Sequence, residues 1–391
     1  MTKHILSKMY ILAGIMLPIL FAYTTPINGL TYGDVFLLFA IGCMLLQCSI
    51  VEIQNSIFYI MLYIIGSSFY VIFFESIANL HIMTAGRYLI YLIYILFIPM
   101  VYEYKEYAMR IYKKVCTFAA LLLVIQFVAL NTMGYAVPGV IRFLPLTDEN
   151  LYDYSYAVFY TNSRRCMSLF GEPSHYAIYV LPCLAFCLLR NRRVRNKDLC
   201  LAGILSLTIV MSSTFTGILA MIFVWGYWIE QNLIKKYFSL KLILILTLTI
   251  VTFFSLLLNT KLGYYLLNGD IYKRQAMGRF EGYIYLMNLD ICRVELIFGH
   301  GMNDIGSKGI YLAGWARLVY YYGIMGAGLY TICLWSCTSK NKIGRAILLL
   351  LFVVMIGSEV NFMPIFVTYM IMVMMLSGDQ ILDINLKYNN G

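Results

Sequence analysis

This chain is short of charge. Asp, Glu, Lys and Arg make up 12% of its 391 residues, against roughly 25% in soluble domains. Hydrophobic residues account for 61%, and the mean hydropathy is +0.78. A water-soluble protein could not hide that much apolar surface, so a set of soluble domains is excluded. Long polar stretches are missing too, because apolar runs follow one another from residue 5 to residue 376. One integral membrane domain covering residues 1-391 is the simplest organisation. Histidine is limited to 4 residues. There is no His-Glu-x-x-His, no His/Cys cluster at zinc spacing and no Walker-type phosphate loop, which leaves zinc catalysis and ATP hydrolysis without support. No cofactor and no metal is expected.

Neither cysteine nor charge forms a pattern of its own. Most of the 10 Cys lie in or beside apolar runs and read as small residues of membrane helices. Cys166 and Cys292 fall in the two longest polar loops and either pair there or stay free. The formal charge of +10 is dispersed in short clusters between apolar runs, not on an extended basic face, so nucleic acid is not an expected partner.

The apolar runs predict an all-α polytopic protein. Candidate spans lie near 5–25, 32–50, 57–74, 87–102, 113–133, 174–190, 198–212, 214–230, 241–259, 309–335, 346–358 and 361–377, which makes about twelve transmembrane helices. The stretches 198–230 and 346–377 read either as two spans each or as broken, re-entrant hairpins. The first helix reads as a retained span, being too long for a cleaved signal and lacking a small-residue cleavage site.

An even count puts both termini on one side. The clusters Lys105/Arg110/Lys113/Lys114, Arg190/Arg192/Arg193/Arg195/Lys197, Lys235/Lys236/Lys241 and Lys340/Lys342/Arg345 all fall on that side, which makes it cytoplasmic. The opposite face carries two long extracytoplasmic loops, about 134–173 and 260–308. No inverted repeat joins the two halves, which weakens a transporter reading. In the first loop Tyr152, Tyr154, Tyr156 and Tyr160 alternate, either as an interfacial belt or as a sugar-stacking edge.

Three places could carry chemistry. The first is Arg164-Arg165-Cys166-Met167-Ser168-Leu169-Phe170-Gly171-Glu172-Pro173-Ser174-His175. Pro173 suits a first helical turn, so Glu172, Ser174 and His175 should stand at a helix start that favours anions. Arg165 would meet Glu172 there. Alternatively Glu172 only caps the helix and the arginines touch solvent or lipid headgroups. The second place is Lys273-Arg274 and Arg279-Phe280-Glu281-Gly282, followed by Gly299-His300-Gly301-Met302-Asn303. The third is Arg317, set in an apolar stretch, where burial would cost about 2.5–3.5 kcal/mol and should turn the side chain toward the interior or let it snorkel outward. Gly323, Gly326 and Gly328 behind it allow close helix contact. Glu359 and Asn361 read as polar residues of the last outer turn. Acids and bases nearly cancel in each long loop, so an anion site would need local folding to part arginines from carboxylates.

At these residues the chain resembles the O-antigen and capsule repeat-unit polymerases of the Wzy type, and more broadly the O-antigen ligase superfamily of polytopic glycosyltransferases. Arg165-x-x-Ser168-x-Phe170-x-Glu172-Pro173-Ser174 is similar to the segment closing the family's large outer loop. Arg279 with the Phe298-Gly299-His300-Gly301 turn is similar to its second outer-loop Arg and Phe-Gly-x-Gly. The stretch from Leu318 to Tyr322-Gly323-Ile324-Met325-Gly326 resembles the following helix, and Ser212-Ser213-Thr214-Phe215-Thr216-Gly217 a Ser-rich turn. Where many ligases carry His-Asn, this chain has Leu312-Ala313.

The resemblance implies a multi-pass enzyme of the bacterial cytoplasmic (inner) membrane, acting at its outer face without metal or nucleotide. It would join polyprenyl-pyrophosphate-linked oligosaccharides into a polymer, with membrane lipids and a chain-length-regulating membrane protein as partners. Arg164, Arg165, Arg279 and Arg317 would hold the donor pyrophosphate, with Glu172 as the base and His175 or His300 as helpers. A ligase, a protein-glycosylating transferase and a flippase of lipid-linked sugars are the alternatives.

Overall fold

The computed structural model describes residues 2–27, 29–47, 52–74, 82–135, 137–141, 144–147, 165–190, 195–234, 270–288, 294–302, 310–338 and 341–377. Among them are thirteen α-helices and no strand. They are α1 (Thr2–Leu20), α2 (Tyr32–Gln47), α3 (Asn55–Phe74), α4 (Ile82–Leu96), α5 (Lys105–Val128), α6 (Pro173–Leu189) and α7 (Asn196–Met211). There follow α8 (Phe215–Ile229), α9 (Asp270–Met287), α10 (Val294–Phe298), α11 (Gly314–Ser336), α12 (Lys342–Met355) and α13 (Ile365–Ser377).

Two helical stretches, Ile98–Met133 and Gly314–Ser336, are long and apolar enough to cross a membrane, and six shorter apolar helices accompany them. The longer one corrects an expectation. Residues 103–112, which separate the expected spans 87–102 and 113–133, are helical, because a 3-10 turn over Ile98–Tyr104 runs straight into α5. The expected span 241–259 lies outside the described residues.

Packing follows from apolarity. Helices α6 and α13 are apolar on every side, and nearly all their residues are buried, as a helix without a polar face requires. The others surround them, with α1 on α2 and α13, and α7, α8 and α12 on α6. These surrounding helices turn Phe39, Tyr59, Phe69, Phe118, Leu207 and Ile332 outward, each more than half exposed.

Helix starts are fixed by short-range hydrogen bonds. At α2 the Thr31 hydroxyl accepts from the Asp34 amide while Asp34 accepts from the Thr31 amide, a reciprocal capping box. Asn341 caps α12 by accepting from the amides of Ile343 and Gly344. Proline occupies the first position of α6, where no amide is needed.

The bundle has two unlike ends. At one, Lys113 pairs with Asp198, Arg190 with Glu106, and Asn341 donates to the carbonyl of Leu376. At the other lie the start of α6, the turn joining α7 to α8, the start of α11 and the turn joining α12 to α13. Residues 137–141 and 144–147 lie at this second end, with Tyr23 bridged to Leu146.

Candidate functional site

The first segment is held in place by a residue that sequence reasoning missed. Gln126, near the end of α5, accepts from the Ser168 amide at 2.7 Å and donates to the Ser168 carbonyl at 3.1 Å. Ser168 also donates its hydroxyl to the Ala119 carbonyl at 2.6 Å, and its backbone lies in the left-handed region at φ 56°. Gly139 packs against the Ser168 carbonyl so closely that a Cβ would overlap it. Phe170 is buried against Tyr176 and Tyr179 of α6. Segment 165–172 is therefore anchored before it reaches Glu172. Gln126→Leu should strand two buried backbone groups, each costing about 1–3 kcal/mol. A lowered melting temperature in detergent is the expected result.

Glu172 stands in extended conformation just ahead of Pro173, as expected, but its carboxylate makes no capping bond to the backbone. It accepts from the Ser174 hydroxyl at 2.9 Å and lies 3.9 Å from His175 Nε2, with 57% of its side chain exposed. A carboxylate so exposed is open to a ligand. Arg165 begins this segment, with its Nε enclosed and without a partner, and no ion pair joins it to Glu172. Arg164, Cys292, Asn303 and the alternating tyrosines lie outside the described residues.

Arg279 projects from α9 into the opposite half of this end. Its Nη1 donates to Thr216 Oγ1 at 2.6 Å and to the Gly357 carbonyl. Tyr283, one turn on, donates to the Ile356 carbonyl at 2.9 Å. Between them Gly282 meets the chain before α11, where a Cβ would stand 2.7 Å from Leu312 Cδ2 and 2.8 Å from the Tyr311 carbonyl oxygen. The spacing Arg279-x-x-Gly282-Tyr283 thus places three contacts on one helical face. Thr216 comes from the Ser-rich turn, whose Gly217 lets α8 approach Ala177 of α6.

Arg317 differs from its expected setting. It lies in the first turn of α11, not deep within a helix, and forms an ion pair with Glu359. Glu359 lies in the expected last turn but is ion-paired there, and Asn361, two residues on, is fully buried. The two charges stand in separate apolar stretches of the second half of the sequence, which was the available signal. Burial pushes the Glu359 carboxyl up, Arg317 pulls it down, and the like charge of Glu172 raises it further, with a net upward shift. Burial raises the Tyr311 hydroxyl, the charge of Glu359 raises it further, and those of Arg279 and Arg317 lower it. The Ser358 carbonyl takes the first amide of α11, from Gly314, at 3.0 Å. One turn, between α12 and α13, thereby connects both arginines, α9 and the start of α11.

His300 is set slightly apart from this cluster. Helix α11 is kinked at Gly323 (φ 67°, ψ −179°), which releases carbonyls of the preceding turn. His300 N donates to the Tyr320 carbonyl, Gly301 N to that of Tyr321 and the Tyr63 hydroxyl to that of Tyr322, each at 2.8 Å. The His300 ring rests 4.6 Å from the Tyr320 ring, and Tyr320 lies one turn beyond Arg317. Gly299 (φ 86°) and Gly323 face the opposing backbone where any Cβ would collide. The Phe-Gly-His-Gly turn and the Tyr-Gly helix are therefore two halves of one joint.

Among the described residues no group of three metal-ligating side chains occurs. One bundle end thus gathers Arg279, Arg317, Glu172 and Glu359, an arrangement able to bind an anion beside a carboxylate. No family model, curated protein or solved structure matches the chain.

Proposed function

We propose that this chain is a polysaccharide polymerase. It crosses the bacterial cytoplasmic membrane repeatedly and works at the outer face, transferring polyprenyl-pyrophosphate-linked oligosaccharide to a hydroxyl of another lipid-linked repeat unit. The observation that carries this reading is the meeting of Arg279 and Arg317, from separate segments, beside Glu172 and Glu359. Outward-facing apolar side chains on the surrounding helices suit a lipid bath.

The chemistry asks little beyond charge control. The bond from the anomeric carbon to the donor phosphate oxygen breaks, the acceptor oxygen bonds to that carbon, and the acceptor proton passes to Glu172. The leaving pyrophosphate gains negative charge, which guanidinium groups stabilise. Arg279 spends Nη1 on Thr216 and Gly357, and among the described residues no partner takes its Nε or Nη2, which leaves a fork for phosphate. Arg165 supplies a further guanidinium on the segment leading to Glu172, with Arg164 before it. His175 and His300 assist at the rim.

The experiment is reconstitution. Purified protein given lipid-linked repeat units, with chelator and no nucleotide, should produce a ladder of longer saccharides. Arg279→Lys should weaken it severely, because an ammonium cannot reproduce the fork. No extension by the wild-type protein would remove the assignment. Transfer of a whole chain to a different acceptor would point to a ligase instead.

A further inference from the structure

An arginine already holding a carboxylate is not an empty seat for phosphate, and Glu359 holds Arg317 in this structure. The pair remains reachable, with 23% and 20% of the two side chains exposed. Nor does Glu359 exhaust the guanidinium, whose Nε is enclosed and has no partner. Glu172 brings a like charge to the Glu359 carboxylate, which Arg317 attracts.

The backbone around Glu359 is fixed from several directions. Gly357 is held by Arg279, Ser358 by the amide of Gly314, and the Glu359 carbonyl by the amide of Phe362. We propose that Glu359 is a resident counter-ion that occupies Arg317 in the substrate-free protein and yields it to a diphosphate, so that Glu359 acts as a specificity-determining residue against single phosphates. This rests on the reading that Arg317 faces the donor pyrophosphate.

The selection is a matter of differential affinity. A tethered carboxylate competes with every incoming anion and lowers apparent affinity by the fraction of time Arg317 is occupied. A diphosphate can engage Arg279 and Arg317 together and so overcomes that competition. A single phosphate reaching Arg279 gains nothing from Arg317 until Glu359 has left. Glu359 also keeps Arg317 from standing uncompensated in a half-buried position before substrate arrives.

The test uses full-length protein in detergent, titrated calorimetrically with farnesyl pyrophosphate and farnesyl monophosphate. Glu359→Gln should bind both probes more tightly, by about tenfold for the monophosphate, and should narrow the preference for the diphosphate. A merely structural role predicts the opposite sign. Glu359→Asp, whose shorter reach loosens the pair while keeping its charge, should shift affinity the same way by less. In an Arg317→Ala background the Glu359 substitution should lose its effect, since the two act as a unit.

Unchanged or weaker binding in Glu359→Gln and Glu359→Asp, with wild-type protein still binding the diphosphate, overturns the counter-ion role alone. Failure of wild-type and variant proteins alike to bind either probe overturns the pyrophosphate reading and this inference with it.

Discussion

Glu172→Gln is expected to leave each lipid acceptor carrying a single repeat unit, in cells whose surface polymer depends on this protein, while protein level stays normal. The amide keeps the size of the side chain and can still accept from Ser174, so local structure should survive. What it loses is the capacity to take a proton, worth about 10²–10⁴ in rate for a positioned base. Glu172 is suited to that role by exposure: more than half of its side chain is open, whereas Glu359 is paired with Arg317. Arg165→Ala should give the same product through loss of a guanidinium. The measurement is a gel of surface saccharide beside an immunoblot of the protein. Long polymer in Glu172→Gln would remove this residue from the chemistry.

The second large effect concerns folding. Gly323→Ala should sharply lower the melting temperature in detergent and reduce the amount of protein recovered from membranes. The backbone at Gly323, φ 67° and ψ −179°, lies in a region that essentially only glycine occupies, at a cost of about 1–3 kcal/mol for other residues. A Cβ there would also strike the Ile297 carbonyl, so the turn after α10 would have to retreat. That retreat would strip the Tyr320 and Tyr321 carbonyls of their partners, His300 N and Gly301 N. By contrast Gly328→Ala in the same helix should be silent, since a Cβ at Gly328 meets nothing within 4 Å. Equal melting of the two variants would show that the joint is not under the constraint described.

Much of the helical layout was legible because its cause is local. A run of apolar residues must satisfy its own backbone, and a helix does so within the run. The tight turn between α7 and α8 could be placed near Ser212-Ser213-Thr214 on the same ground. Boundaries were less legible where charge and helix coincide: the basic cluster at Lys105 read as a connection, yet α5 begins there and carries it on helical turns. Arg317 read as buried mid-helix because its neighbours are apolar, although it stands in the first turn of α11. Glu359 read as incidental because nothing beside it in sequence is charged.

Composition and periodicity by themselves determined an all-helical chain rich in apolar surface, the positions of most helices, and that Glu172 stands at a helix start. They could do so because hydrogen bonding within a helix and the clustering of charge between apolar runs depend on neighbours in sequence. Tertiary structure alone decided that Glu359 answers Arg317, that Thr216 and Gly357 hold Arg279, and that Gly299 and Gly323 form one joint. Those pairings join groups far apart along the chain, and their energy depends on distance and burial, which arise only when the helices pack.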